Sequence, residues 1–148
     1  MIYWDTSCLI KLYVAEIDSD QWQERLAAEA APCLSSGLLY AELAYALHQK
    51  EIRKEIRPGS ARRLFEHFER HVKQGRFELL PVGTDVLEKS VAVARTCYAA
   101  KPVVPLRTAD GIHLATAMVG GCSTVATTDQ RMLAALPCLS LKSLTSDL

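Results

Sequence analysis

The chain has 148 residues, 49% of them apolar and 23% charged, with 17 basic against 17 acidic side chains and a formal net charge of zero. This describes one soluble globular domain, 1–148, long enough to bury a core unaided, and it excludes disordered, collagenous and disulfide-scaffold classes. Zero net charge argues against a basic-arm nucleic-acid binder, whose affinity comes from many Lys and Arg neutralising phosphates, but leaves nucleic acid open as a substrate.

In chain order, Ile2-Tyr3-Trp4 reads as a short strand ending at Asp5, and Thr6 or Ser7 caps a helix carrying Leu9, Ile10, Leu12 and Tyr13. Asp18 or Ser19 caps a second helix through Trp22 and Leu26, which Pro32 stops. Cys33-Leu34-Ser35 is a second strand, and Ser35 or Ser36 caps a long helix over about 38–52. Pro58-Gly59 breaks the chain before an amphipathic helix with the apolar stripe Leu64, Phe65, Phe68 and Val72. A third strand runs from Phe77 to Val82, Thr84 opens a helix to about Ala100, and the segment from Pro102 to Pro105 is a loop. Thr108 caps a helix over 109–119, ended by Gly120-Gly121. Ser123 to Ala126 forms a fourth strand, a short helix follows Asp129 as far as Leu136, and Leu139 to Leu141 make a last edge strand. Strands alternate with helices throughout, so the expected fold class is α/β: a central, mostly parallel sheet of four to five strands with helices on both faces.

The five cysteines, Cys8, Cys33, Cys97, Cys122 and Cys138, are odd in number and form no CxxC pair, which points to a reduced, cytoplasmic chain without disulfides or a zinc site. The start MIYWD has no basic segment leading into an apolar one, so it does not read as a signal peptide. The longest window without Asp, Glu, Lys or Arg, Gly111 to Thr128, is too polar to span a membrane.

In open α/β sheets ligands bind beyond the carboxyl ends of the strands, which draws attention to Asp5 and Asp129, each placed just after a strand. Asp110 lies in the first turn of its helix, where free N–H groups and the dipole favour a carboxylate. Taken singly, each of these reads first as a cap or turn residue. Glu42 is different, because Leu38, Leu39, Tyr45 and Ala46 surround it at helical spacing and a carboxylate on an apolar stripe needs a partner or a metal. An ion pair with Lys11 or Arg107 is the structural alternative. Together, Asp5, Glu42, Asp110 and Asp129 form an all-oxygen donor set that suits Mg2+ or Mn2+ better than zinc. His113, three residues after Asp110, reads as a core or supporting histidine ahead of a metal ligand.

The stretches DTSCLIKLYVAE at 5–16, SSGLLYAEL at 35–43, LRTADGIHLATA at 106–117 and ATTDQRM at 126–132 resemble the PIN-domain ribonucleases, most closely the VapC-type toxins of bacterial toxin–antitoxin pairs. The resemblance covers nearly the whole chain. It implies a Mg2+-dependent endoribonuclease, with Mn2+ as a possible substitute, whose acidic residues are Asp5, Glu42, Asp110 and Asp129, supported by the hydroxyls of Thr6, Ser7 and Thr127. Asp5, Glu42 and Asp110 would hold the principal ion, and Asp129 would complete the site or orient water or a second ion, the choice between one metal and two staying open. Gly111 departs from the family, in which alanine is usual after the third acid; glycine lowers helix propensity there by about 1 kcal/mol. The resemblance also implies a homodimer and a small antitoxin protein bound near the site, on the first helices with Leu12, Tyr13 and Trp22 and on the third helix with Tyr40 and Tyr45.

Charge is uneven along the chain. Between Lys50 and Arg76 stand nine Lys or Arg and four Glu, and Arg53, Arg57, Arg62 and Arg63, with Lys54, Arg70, Lys73 and Arg76, are candidates to guide RNA phosphates. A solvated helix face is the plainer reading of the same run. Competing functions are a PIN-domain nuclease of RNA processing without an antitoxin, a receiver-like signalling module with a Mg2+ pocket, and a non-catalytic RNA-binding module. The receiver reading is weakened because Thr6 and Ser7, not a second acid, follow Asp5. No glycine-rich phosphate loop supports nucleotide hydrolysis.

Overall fold

The computed structural model describes residues 1–144. Five strands, β1 (Ile2–Trp4), β2 (Cys33–Ser36), β3 (Phe77–Leu80), β4 (Thr124–Ala126) and β5 (Lys142–Ser143), form one sheet in the order β3-β2-β1-β4-β5. Every pairing is parallel, with Tyr3 opposite Leu34 on one side and Val125 on the other. The seven α-helices are α1 (Thr6–Leu9), α2 (Ser19–Ala27), α3 (Leu38–Ile52), α4 (Ser60–Lys73), α5 (Thr84–Ala99), α6 (Thr108–Val119) and α7 (Gln130–Ala135).

Alternation along the strands builds two cores. Trp4, Cys33, Phe77 and Ala126 face Leu9, Trp22, Leu39, Leu43, Leu47 and Phe68 from α1 to α4. Their neighbours Tyr3, Leu34 and Val125 point the other way, toward Val86, Val93, Leu114 and Met132 from α5 to α7. The chain moves outward from β1 through β2 to β3 with its helices on one face, then crosses to β4 and β5 with its helices on the other. The connections after β1 and β4 therefore leave in opposite directions, which opens a crevice beyond the carboxyl ends of these two central strands.

Most expected elements fall within a residue or two of their observed bounds, and the differences have local causes. The last strand lies at Lys142–Ser143, because residues 137–139 form a 3-10 turn begun by Pro137. Strand β3 ends at Leu80, before Pro81, which has no N–H to donate. Helix α2 ends at Ala27, ahead of Pro32. Trp22, expected on a partner surface, is core: it is 3% exposed and packs edge-on against Trp4 at 5.9 Å between ring centroids. No helix among the described residues is long and apolar enough to cross a membrane, and all five cysteines are free.

The segment between α1 and α2 is tied by charge. Lys11, 8% exposed, meets Asp18 at 2.5 Å and Glu16 at 3.0 Å, and Asp18 also accepts from the Trp22 indole at 3.1 Å. The Lys11 hydrogen bond holds the Asp18 carboxyl below its ordinary range. A carboxylate with a lowered folded pKa stabilises above its unfolded value of about 4, and that stability is lost as pH falls through the folded value. Asp18→Asn should therefore cost about 1 kcal/mol in urea unfolding at pH 7, and the difference from the parent should shrink below about pH 4.

Candidate functional site

Asp5 continues β1 by one residue, its N–H donating to the Ala126 carbonyl at 3.0 Å, and caps α1. Its side chain is fixed on both sides. One oxygen accepts from the Ser7 N–H at 2.7 Å, the Ser7 hydroxyl at 2.6 Å and the Cys8 N–H at 3.3 Å; the other accepts from the Thr127 hydroxyl at 2.8 Å. Asp5 is only 4% exposed, and all these donors are neutral. Burial raises its carboxyl above the ordinary range, partly offset by the Ser7 and Thr127 hydroxyls and the nearby His113. The expected capping role of Thr6 or Ser7 thus passes to Asp5, because a carboxylate at the strand end reaches two N–H groups of the first turn.

The same hydroxyls reach the next acid. Ser7 Oγ accepts from the Thr128 N–H at 2.9 Å, and Thr127 Oγ1 accepts from the Asp129 N–H at 3.1 Å. Asp129 in turn caps α7, accepting from the N–H groups of Arg131 at 2.8 Å and Met132 at 3.3 Å. The turns after β1 and β4 are in this way joined across the crevice.

Glu42 does not sit at the centre of the buried stripe of α3. Leu39, Leu43 and Leu47 are fully buried, Tyr45 is 74% exposed, and Glu42 lies at the border, half-buried. Its partner is neither Lys11 nor Arg107 but His113 of α6, whose Nε2 stands 2.5 Å from Glu42 Oε2. The Thr6 hydroxyl donates to the same oxygen at 2.5 Å. The other ring nitrogen of His113 meets the Tyr3 hydroxyl at 2.6 Å. An ionised carboxylate only accepts, so Nε2–H donates to Glu42, and in the neutral ring Tyr3 O–H donates to Nδ1. Partial burial pushes Glu42 up, but the contact with His113 and the Thr6 hydroxyl prevail and hold it below the usual carboxylate range. His113 is 3% exposed and links the two helical layers above the strand ends.

Asp110, 3% exposed, turns back on its own helix start. One oxygen accepts from the Arg107 N–H at 3.0 Å and from Nε at 3.1 Å; the other accepts from Nη2 at 3.0 Å. Arg107 Nη2 also reaches Asp129 Oδ2 at 3.1 Å. Sequence reasoning named Arg107 only as a partner for Glu42; its spacing of three from Asp110 carried the signal for the pair actually formed.

The structure thus gathers Asp5, Glu42, Asp110 and Asp129, with Thr6, Ser7 and Thr127, around the crevice. Among the described residues, no three Asp, Glu, His or Cys side chains are placed to hold one ion as they stand. The donors are nevertheless all carboxylate oxygens, and Asp5 is a buried carboxylate met only by neutral groups, a condition that a cation relieves. Arg53, Arg57, Arg62 and Arg63 are not brought to the acids. They are exposed, Arg62 pairs with Glu66 at 2.9 Å, and the Ala61 N–H contact to Glu51 sets the start of α4 beside the far end of α3. That is roughly 14 Å along the helix axis from Glu42. A cavity of about 560 Å3 lined by Leu12, Leu26, Cys33, His71, Arg76 and Phe77 opens at the opposite end of the strands.

A family profile for the PIN domain matches residues 2–136. No curated protein sequence matches the chain. Similar solved structures include a toxin–antitoxin complex from Klebsiella pneumoniae, 18% identical with a TM-score of 0.65, covering 100% of both chains. VapBC-1 from nontypeable Haemophilus influenzae is 17% identical with a TM-score of 0.69, over 99% of this chain and 98% of the other. Mycobacterium tuberculosis VapC20, described as a toxin that cleaves the sarcin-ricin loop, is 14% identical with a TM-score of 0.66, over 91% and 95%. At these identities the likeness is one of fold.

Gly111, beside Asp110 in α6, has room: a Cβ built there meets nothing within 4 Å. Gly111→Ala should therefore raise stability by about 0.5–1 kcal/mol, read as a higher urea midpoint at unchanged slope.

Proposed function

The chain belongs to the PIN-domain family, and from that premise we propose that it is a Mg2+-dependent endoribonuclease, a single domain over 1–148, acting as the toxin of a toxin–antitoxin pair. The observation that carries this reading is the buried Asp5 carboxylate, fixed by Ser7 and Thr127 without a cationic partner, at the crevice where Glu42, Asp110 and Asp129 also stand. Asp5, Glu42 and Asp110, completed by Asp129, would hold Mg2+ or Mn2+. When bound, such an ion supplies charge to the phosphodiester oxygen and lowers the pKa of an attacking water. The chain's own part is positioning. Ser7 and Thr127 keep Asp5 in one rotamer, while Thr6 and His113 do the same for Glu42, so that neither carboxylate needs to reorganise during the reaction.

The reading extends to a cytoplasmic homodimer inhibited by a small antitoxin near the site. Its support is a set of large apolar side chains left exposed on the helical layer of α1 to α4: Ile17, Tyr45 and Ile52, with Tyr40 42% exposed. Arg53, Arg57, Arg62 and Arg63 would steer RNA over a distance, since they stand apart from the acids.

RNA cleavage by the purified chain should be abolished by EDTA and restored by Mg2+ or Mn2+. Asp5→Asn should lower kcat at least about 100-fold, the scale of losing one group that stabilises transition-state charge. Cleavage that persists in EDTA and in the variant refutes the proposal. Reversing Arg62 and Arg63 to Glu should raise KM for RNA more than it lowers kcat, in steady-state assays at low salt; unchanged kinetics would remove their steering role.

A further inference from the structure

One basic side chain at the crevice is shared between two of the acids. Arg107 donates from its backbone N–H and Nε to Asp110 Oδ2, and from Nη2 to both Asp110 Oδ1 at 3.0 Å and Asp129 Oδ2 at 3.1 Å. Two carboxylates from different elements, 19 positions apart in the chain, therefore share one guanidinium. Asp110's side chain is 5% exposed and Asp129's is 22%, so their oxygens have little other access to solvent. The Arg107 side chain is itself 59% exposed. It can therefore swing outward at the cost of its bonds to the two carboxylates.

We propose that Arg107 is the resident cation of this site, sharing its one positive charge between Asp110 and Asp129 in the metal-free protein, and that a divalent ion must displace its guanidinium to reach those carboxylates. The inference rests on the metal-dependent reading above and adds to it a competitor built into the chain. Asp110 turns both its oxygens to Arg107, so an approaching ion meets the guanidinium fork already in place on them. A dipositive ion and a guanidinium held on the same carboxylates also repel each other. Without either cation, Asp110 would be a buried carboxylate left with one backbone N–H, a costly state. Arg107 thus keeps the empty site foldable and sets a threshold for metal loading. A role limited to capping α6 makes a different prediction, because a cap stabilises the helix whether or not metal is bound.

The test is Mn2+ titration of the full chain by calorimetry, beside Arg107→Gln and Arg107→Lys, with thermal melting of each in EDTA and in Mn2+. Arg107→Gln should bind Mn2+ about tenfold more tightly than the parent, the scale on which groups contacting metal ligands alter affinity. It should melt lower than the parent in EDTA and gain more from Mn2+. Arg107→Lys keeps the charge but loses the fork, so its affinity should fall between the two; it carries the test if Arg107→Gln does not fold. Equal or weaker Mn2+ binding by the variants, with the parent binding, overturns this proposal and leaves the metal-dependent reading standing. If no protein binds Mn2+, both fall.

Discussion

The arrangement depends on a carboxylate buried where two parallel strands end. Asp5 lies one residue past β1, and its N–H extends the pairing with β4 through the Ala126 carbonyl. An aspartate there would be expensive if left alone. Ser7, Cys8 and Thr127 supply its hydrogen bonds, and two of them pass the constraint on: Ser7 Oγ receives the Thr128 N–H, and Thr127 Oγ1 receives the Asp129 N–H. The backbone after β4 is therefore shaped by the side chain after β1. Asp129, placed by that turn, caps α7 and presents its second oxygen to Arg107. One buried group thus sets the spacing of the two central turns, and the crevice between them follows from the strand order.

Electrostatics at the crevice follow a division of labour. Each acid has its own means of being tolerated: neutral hydroxyls and N–H groups for Asp5, an imidazole for Glu42, and one guanidinium shared by Asp110 and Asp129. The raised Asp5 carboxyl and the lowered Glu42 carboxyl are consequences of that difference, since deep burial outweighs the donors around Asp5, whereas at the half-buried Glu42 the bonds from His113 and Thr6 together outweigh burial. His113 also has a mechanical role. Tyr3 from the sheet and Glu42 from α3 hold it from opposite sides, so the two helical layers are connected at the strand ends by one polar chain. A satisfied chain of that kind restricts each member to one rotamer.

The order and type of elements were legible because the relevant signals are local: alternating short apolar runs, prolines and glycines at breaks, and caps before apolar stripes. The positions of Asp5, Asp110 and Asp129 at element ends were legible for the same reason, whereas Glu42 stood out only by its apolar neighbours within a helix. What escaped was pairing across the fold. Glu42 and His113 are 71 positions apart, and nothing in the α3 periodicity says which helix crosses above its first turns. The stripe centred on Glu42 was misplaced because Tyr45 counts as apolar yet faces solvent, while Leu39, Leu43 and Leu47 define the true buried line. Trp22 was similarly ambiguous. A lone tryptophan on a short polar helix fits an interface or a core, and only its contact with Trp4 decides.

The zero net charge has a more specific meaning once placed in space. The basic excess of residues 50–76 is carried by the end of α3, the following turn and α4, where Lys50 and Arg62 are already answered by Glu16, Glu55 and Glu66. The acidic excess includes four side chains at the crevice, of which Asp110 and Asp129 are answered by Arg107 and Glu42 by His113, while Asp5 has neutral donors alone. Part of the field that these groups would project is thus cancelled within a few ångströms, and at physiological salt the remainder is screened beyond about 8 Å. The distance between the exposed arginines at the start of α4 and the acids exceeds that length. On the proposed reading, attraction of a polyanion by those arginines and its cleavage at the acids would therefore be separable, joined only by a substrate long enough to span both, which a structured RNA is and a mononucleotide is not.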